Sequence, residues 1–252
     1  MKTIFSIACS IMLLFVSCKE QKKEAVSSAP ETEAQEVAST DTDQEWTVLF
    51  DGSSFDGWKA YGGENVPDHW KLEDGAMVFY PPENREEGAT YNLITEKRYT
   101  DFELSLEWKI SEAGNSGIFW GVMEKPSLKQ PYESGPEIQV LDNAGHPDGK
   151  NGTTHQAGAL YDMIAPSKDV TKAVGEWNTC IVSIDHKTQQ GSVVLNGEKI
   201  VTFPVNNDAW NALVSGSKFA DWEHFGKYTT GSIGLQDHGD KVAFRNIKIK
   251  EL

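Results

Sequence analysis

Alternating apolar and polar positions run through the chain from residue 102 onward and predict β-strands. In the segment 102–110, Leu104, Leu106 and Trp108 fall on one face, while acidic and polar residues occupy the other. Gly, Asn and Asp residues, which favour turns, separate the segments that follow. The further predicted strands cover residues 117–122, 137–141, 180–185, 192–196, 199–203, 231–236 and 242–249.

The spacing of these strands favours an antiparallel β-sandwich or jelly roll. Residues 180–185 and 192–196 are expected to pair as a hairpin, and Asn196-Gly197 should turn the chain into the next strand. One short helix is predicted at about residues 207–214, where Trp210 and Leu213 lie three positions apart. No alternation of strands and helices occurs, which disfavours a parallel α/β fold.

The N-terminus has the pattern of an export signal. Lys2 precedes an apolar run too short to span a membrane, and Phe15-Val16-Ser17-Cys18 resembles a bacterial lipobox. We therefore predict a signal peptide at 1–17, a lipid-anchored flexible tether at 18–44 that begins at the lipidated Cys18, and one domain at 45–252. The predicted location is the cell envelope, facing the periplasm or the cell surface. An ordinary secretory signal with an incidental cysteine is the alternative.

The net charge limits the kinds of partner that the domain can bind, and the cysteine content limits its disulfides. The chain carries −15, and four Lys against seven Asp or Glu in the first 44 residues leave −12 for the domain. That field disfavours nucleic acid and anionic lipid heads. Cys180 is the one cysteine of the predicted domain, so the domain has no internal disulfide.

Two strands carry side chains suited to acid–base chemistry. Glu137 and Gln139 share one face of their strand, and a single bulged residue would bring Asp142 to the same face. Gln236 and His238 are similarly aligned at the end of a later strand. Carboxyl and imidazole groups can act as acid and base when their surroundings separate their pKa values, although a solvated polar face would have the same pattern.

Other candidates are less specific. Gly114 and Gly117 suit a tight turn around Asn115. Trp120 is either a core residue or a platform for a sugar ring, and Glu107 could join the same surface. The sequence identifies no definite cofactor. The polar segment after residue 141 could bind a divalent cation through four side chains, namely Asp142, His146, His155 and Asp162. Their spacing matches no recognised metal-binding motif.

Eight short blocks, in this order and spacing, resemble the 3-keto-disaccharide hydrolase domain family from about Trp46 to Leu252. They are Leu49-Phe-Asp-Gly with Phe55-Asp-Gly-Trp58, Asn115-Ser-Gly-Ile-Phe, Glu137-Ile-Gln-Val-Leu-Asp142, Gly158-Ala-Leu-Tyr161-Asp162, Glu176-Trp177-Asn178, Ser217-Lys-Phe219, Leu235-Gln-Asp-His238-Gly239 and Phe244-Arg-Asn-Ile247.

The resemblance implies a concanavalin A-like jelly roll that cleaves glycosides already oxidised to a ketone at sugar carbon 3. For that reaction we assign, as hypotheses, catalytic roles to Glu137, His238 and Asp142. We expect a further set of residues to bind the carbohydrate, namely Asn115, Gln139, Gln236, Glu107, Trp120, Tyr161, Lys218 and Arg245. No nucleotide-binding fingerprint is present, so a separate oxidoreductase would supply the ketone.

Two alternatives remain open at this point. One is a conventional retaining glycosidase, which would need two carboxyl groups about 5–5.5 Å apart. The other is a sugar-binding module without catalytic activity, since jelly rolls also form lectins.

Overall fold

The computed structural model describes residues 45–252; the predicted signal peptide and the whole predicted tether, including Cys18, lie outside the described residues. The described chain forms thirteen strands and one α-helix, α1 (Asp208–Ser215). The strands are β1 (Thr47–Phe50), β2 (Trp58–Ala60), β3 (Trp70–Glu73), β4 (Ala76–Phe79), β5 (Leu93–Tyr99), β6 (Phe102–Ile110), β7 (Asn115–Val122), β8 (Glu137–Leu141), β9 (Asn178–Asp185), β10 (Gln190–Leu195), β11 (Glu198–Pro204), β12 (Gly231–Leu235) and β13 (Val242–Glu251).

Two antiparallel sheets form the sandwich, which confirms the predicted jelly roll. The eight-stranded sheet has the order β11-β10-β9-β6-β13-β4-β3, with β1 also paired to β13. The five-stranded sheet has the order β2-β5-β12-β7-β8. Strands distant in sequence are neighbours in space, so residues near positions 115, 137 and 236 meet on adjacent strands of the smaller sheet.

One hydrophobic core fills the space between the sheets. Leu104, Leu106 and Trp108 of β6 are buried there, as their alternation predicts. Ile138 and Val140 of β8 enter the same core from the smaller sheet. Because side chains alternate along a strand, Glu137 and Gln139 must point away from the core.

The hairpin and helix predictions are also confirmed. β9 pairs with β10 from Asp185 and Gln190 onward, and the Asn196-Gly197 turn has positive φ at both positions. Asn207 caps α1 by accepting the N–H of Trp210 at 2.9 Å. None of the helices in residues 45–252 has the length and apolarity that a membrane crossing requires.

The edge of β8 is covered by the chain that follows it. The N–H of Gly158 donates to the carbonyl of Gln139 at 2.8 Å, and the N–H of Tyr161 donates to that of Glu137 at 3.0 Å. Gly158 has a φ of 82°, a conformation that glycine adopts without strain. This backbone pairing holds Tyr161 beside Glu137.

Candidate active site

A pocket of about 230 Å³ opens on the face of the five-stranded sheet that points away from the core. β8 contributes Glu137 and Gln139, β7 contributes Asn115, and the segment after β12 contributes Gln236 and His238. The sheet thus brings five of the predicted site residues together. The complete lining is Asn115, Tyr132, Glu137, Gln139, Tyr161, Lys218, Phe219, Trp222, Gln236 and His238.

The position of Glu137 depends on a glycine of the neighbouring strand. Gly117 lies opposite Gln139 inside β7, in agreement with the strand predicted at 117–122 and not with a role in the turn around Asn115. A β-carbon at Gly117 would lie 2.2 Å from Oε1 of Glu137. The missing side chain therefore makes the space that the carboxyl group occupies.

Burial is the main influence on the protonation of Glu137. The side chain is 8% exposed, and loss of solvation raises the pKa of Glu137 to about 8. The positive charge of Lys218 opposes this rise, and the charge of Asp148 adds to it. At pH 7 the carboxyl group is consequently protonated in most molecules and can donate a proton.

A hydrogen-bonded network lies behind Tyr161. Its hydroxyl donates to Asp148 at 2.9 Å, and burial, together with this bond, raises the pKa of Tyr161. The ring of His155 is held between Asp148 at 2.9 Å and Asp162 at 3.1 Å. Asp162 also accepts the backbone N–H of Lys218 at 2.9 Å. The network fixes one wall of the pocket from two loops.

His238 lies at the mouth of the pocket, exposed on one side. Loss of solvation on the side that packs against protein lowers the pKa of His238, and the negative charge of Asp240 opposes this effect. The nearby His146 also disfavours a charged ring. His238 is therefore neutral at pH 7 and can accept a proton, whereas Glu137 can donate one.

His146, His238 and Asp240 form the one group in residues 45–252 whose spacing suits a metal ion, with ligand atoms within 4.8 Å of one another. However, Nδ1 of His146 already accepts the N–H of Asp148 at 3.1 Å. A neutral His146 then carries its proton on Nε2, whereas a histidine that binds a metal usually donates from its second nitrogen. A cation here would have to displace that hydrogen bond.

The cation set expected from sequence is not one cluster. His155 and Asp162 bind each other, Asp142 lies in a separate turn, and His146 faces His238 instead.

Two buried oxygens in the pocket lack a partner within the described chain, Oδ1 of Asn115 and Oε1 of Gln236. Both side chains are more than nine-tenths buried. An unpaired buried polar group costs about 1–3 kcal/mol. Such acceptors are suited to the hydroxyl groups of a bound ligand.

Asp142 does not join this surface. The pairing of β7 with β8 is regular from Glu137 to Leu141, so the bulge that would turn Asp142 toward Glu137 is absent from this pair. Its carboxylate instead accepts backbone N–H groups from two turns, that of Gly145 at 3.0 Å just after β8 and that of Ala113 at 2.8 Å between β6 and β7. Asp142 is thus a structural residue, contrary to the sequence expectation.

Three further residues expected to bind the carbohydrate lie away from the pocket. For Glu107 and Arg245 the reason is that strand alternation does not reveal which sheet a strand joins, whereas for Trp120 the core alternative is correct. Glu107 and Arg245 are paired at 2.7 Å on the eight-stranded sheet, where Glu107 borders a different groove. Trp120 points into the core, with its ring 5.5 Å from that of Phe203. None of the three lines the pocket.

Of the aromatic lining, the sequence indicated Tyr161 as a binding residue but not Tyr132, Phe219 or Trp222, and it did not indicate the carboxylate of Asp148 behind Tyr161. Tyr132 lies in a single turn of 3₁₀ helix, and Phe219 and Trp222 follow α1 in an irregular loop. Asp148 likewise lies in a short 3₁₀ turn. Periodicity carries no signal in such segments; Trp222 was detectable only as a large aromatic residue in a polar stretch.

These features define a concanavalin A-like β-sandwich with a small, polar ligand pocket on one sheet. The chain belongs to the family described as the 3-keto-alpha-glucoside-1,2-lyase-like domain, whose model matches residues 45–250. This confirms the resemblance seen in the sequence.

Its relatives include the 3-keto-disaccharide hydrolase of Bacteroides thetaiotaomicron, with 36% identity over all of this chain and 99% of the relative. Two solved structures from Parabacteroides distasonis, both described as proposed glycosyl hydrolases, share the fold. The first has a TM-score of 0.74 and 34% identity over 82% of this chain and 94% of that one. The second has a TM-score of 0.61 and 27% identity over 82% and 100% of the two chains.

Proposed function

We propose that this protein cleaves the glycosidic bond of 3-keto-disaccharides and related 3-keto-glycosides. The observation that carries the proposal is that one pocket holds the buried carboxyl group of Glu137 together with the imidazole of His238 at its mouth; loss of solvation raises the pKa of Glu137 and lowers that of His238. Two groups displaced in this way form an acid and base pair at neutral pH. Family membership supports the choice of substrate class.

The first step uses the acidity that a ketone at C3 confers on the C2 hydrogen. Neutral His238 removes that proton, and the electron pair moves into the C2–C3 bond and onto the ketone oxygen. Lys218 supplies the positive charge that stabilises the enolate, and the unpartnered oxygens of Asn115 and Gln236 accept hydrogen bonds from the sugar hydroxyl groups.

The second step breaks the bond between C1 and the leaving oxygen. The enolate electrons re-form the ketone and create a C1–C2 double bond, while Glu137 gives its proton to the departing oxygen. Addition of water across the double bond, with its proton at C2 and its hydroxyl at C1, completes a net hydrolysis. Release of the unsaturated ketone before this addition would make the reaction a lyase reaction.

Neither alternative from the sequence is favoured. A retaining glycosidase needs two carboxyl groups about 5–5.5 Å apart; in the described chain Glu137 is the sole carboxyl group that lines the pocket. A binding module gains nothing from a buried carboxyl group with a raised pKa, which disfavours it on grounds of stability.

Release of the leaving group from a 3-keto-glucoside and from its unoxidised parent tests the proposal. We expect turnover of the ketone alone, with rates reduced about 10²–10⁴-fold by Glu137→Gln and by His238→Ala. Glu107→Gln removes a carboxylate from the other sheet and is the matched control, expected to retain the wild-type rate. Equal rates in all folded variants would refute the assignment. Cleavage of the unoxidised glycoside would favour the conventional glycosidase, and binding without product would favour the module.

The proposed reaction depends on a second enzyme, and the protein is proposed to work at the cell envelope. The substrate requires an oxidoreductase that removes hydrogen from the C3 hydroxyl group, since this chain has no nucleotide-binding fingerprint. The lipobox-like segment supports an anchor at Cys18 that keeps the domain at the cell envelope.

A further inference from the structure

One side of the pocket is aromatic, whereas the sheet side is polar. Phe219 is buried against Phe225, with parallel rings 3.9 Å apart. Trp222 packs its edge against Phe219 at 5.1 Å and lies 6.0 Å from Tyr132. Tyr132 is 36% exposed and is the outermost of the three. We call Tyr132 and Trp222 the aromatic rim.

The pocket is too small for two sugar units. Its volume of about 230 Å³ is below the roughly 300–1,000 Å³ of pockets that enclose drug-sized ligands. The groups that can recognise sugar hydroxyls and carry out chemistry, Glu137, Gln139, Asn115 and Gln236, are all buried on the sheet side. The oxidised ring therefore occupies the pocket, and whatever is attached to C1 extends out of it.

We propose that the aromatic rim is the binding site for the leaving group and selects leaving groups with a flat apolar face, such as an aryl group or the face of a second pyranose. Aromatic side chains offer such faces a large, rigid contact area. Phe219 supports Trp222 from behind, so the rim keeps its shape without the ligand. This inference rests on the proposed function, which places the oxidised ring beneath the rim.

The test compares two 3-keto-glucosides of the same anomer, one with a methyl and one with a phenyl leaving group. For Tyr132→Leu and for Trp222→Leu, we expect kcat/KM for the phenyl substrate relative to the methyl substrate to fall at least tenfold below the wild-type ratio. The change should appear mainly in KM, because the leaving group contacts the rim equally in the ground and transition states. Trp222→Phe should restore most of the ratio. Trp177→Leu is the matched control, because Trp177 lies against Arg245 on the eight-stranded sheet.

An unchanged ratio in Tyr132→Leu would overturn the inference, since Tyr132 is exposed enough to be replaced without unfolding the domain. A parallel loss for both substrates would also overturn it, because that result indicates general damage to the pocket. Failure of the wild-type protein to cleave either substrate would instead refute the proposed function. In that case, calorimetry would compare the binding of both compounds to Glu137→Gln and to the Glu137→Gln, Tyr132→Leu double variant. Equal affinities in the two proteins would show that the aromatic rim does not bind the leaving group.

Discussion

Replacing Glu137 by Gln should stabilise the protein while it removes activity. Burial raises the pKa of Glu137 from 4.5 to about 8. The folded state therefore binds this proton more tightly than the unfolded state, and stability falls as the pH rises from 4.5 through 8. At 1.36 kcal/mol per unit, the loss reaches about 3 kcal/mol at pH 7 and about 5 kcal/mol above pH 9. These are upper values, since water entering the pocket screens the charge.

Glutamine has nearly the same shape and cannot ionise, so Glu137→Gln should avoid this loss. Urea unfolding monitored by tryptophan fluorescence at pH 5, 7 and 8.5 measures the difference. We expect the variant to be nearly as stable as wild type at pH 5 and progressively more stable at higher pH. Glu107→Gln is the opposite case. Hydrogen bonds from Arg245 and Asn246 outweigh the effect of partial burial and lower the pKa of Glu107. Replacing this carboxylate by an amide should therefore lower the stability of the protein at pH 7. A Glu137→Gln difference that does not grow with pH would refute the reasoning.

Other predictions follow from the same structure. Gly117→Ala should displace the Glu137 carboxyl group and reduce kcat at least tenfold with little loss of secondary structure by circular dichroism; wild-type kcat would show that the glycine is not needed. The pH profile of kcat/KM should rise through the lowered pKa of His238 and fall near pH 8 as Glu137 loses its proton, and a rate that increases through pH 8 would make Glu137 the base instead. Asp142→Asn should lower the free energy of unfolding by about 1–3 kcal/mol, because an amide NH₂ group replaces one of the two oxygens that accept turn N–H groups, while the folded variant keeps its kcat. A large loss of kcat at unchanged stability would return Asp142 to the catalytic set. Cys18→Ser should abolish labelling of the protein by radioactive palmitate in a bacterial host and release it into the soluble fraction, and persistent labelling would exclude Cys18 as the anchor.

Much of the fold follows from local patterns. The alternation in β6 identifies Leu104, Leu106 and Trp108 as core residues, because a strand between a core and solvent must alternate. Asn196-Gly197 marks its turn because both positions require positive φ. The order of strands within the sheets could not be read in this way, since pairing between distant segments leaves no local trace.

The site was partly predictable for the same reason. Glu137 and Gln139 share a strand, and alternation alone places them opposite the buried Ile138 and Val140. Glu107 has the same alternating pattern, but its strand belongs to the other sheet. The rim residue Trp222 comes from a loop whose course is determined by tertiary packing, which no local pattern encodes.

The fate of the hydrogen at C2 tests the central claim most directly. A 3-keto-glucoside is cleaved in heavy water, and the deuterium at C2 of the released sugar is measured at early times, with the product incubated alone to correct for spontaneous exchange. The account predicts one deuterium at C2 for each hydrolytic turnover, or an unsaturated ketone without hydrogen at C2 if the reaction stops at elimination. A sugar that keeps its original hydrogen at C2 would contradict proton abstraction, and the pocket would then have to cleave the bond in another way.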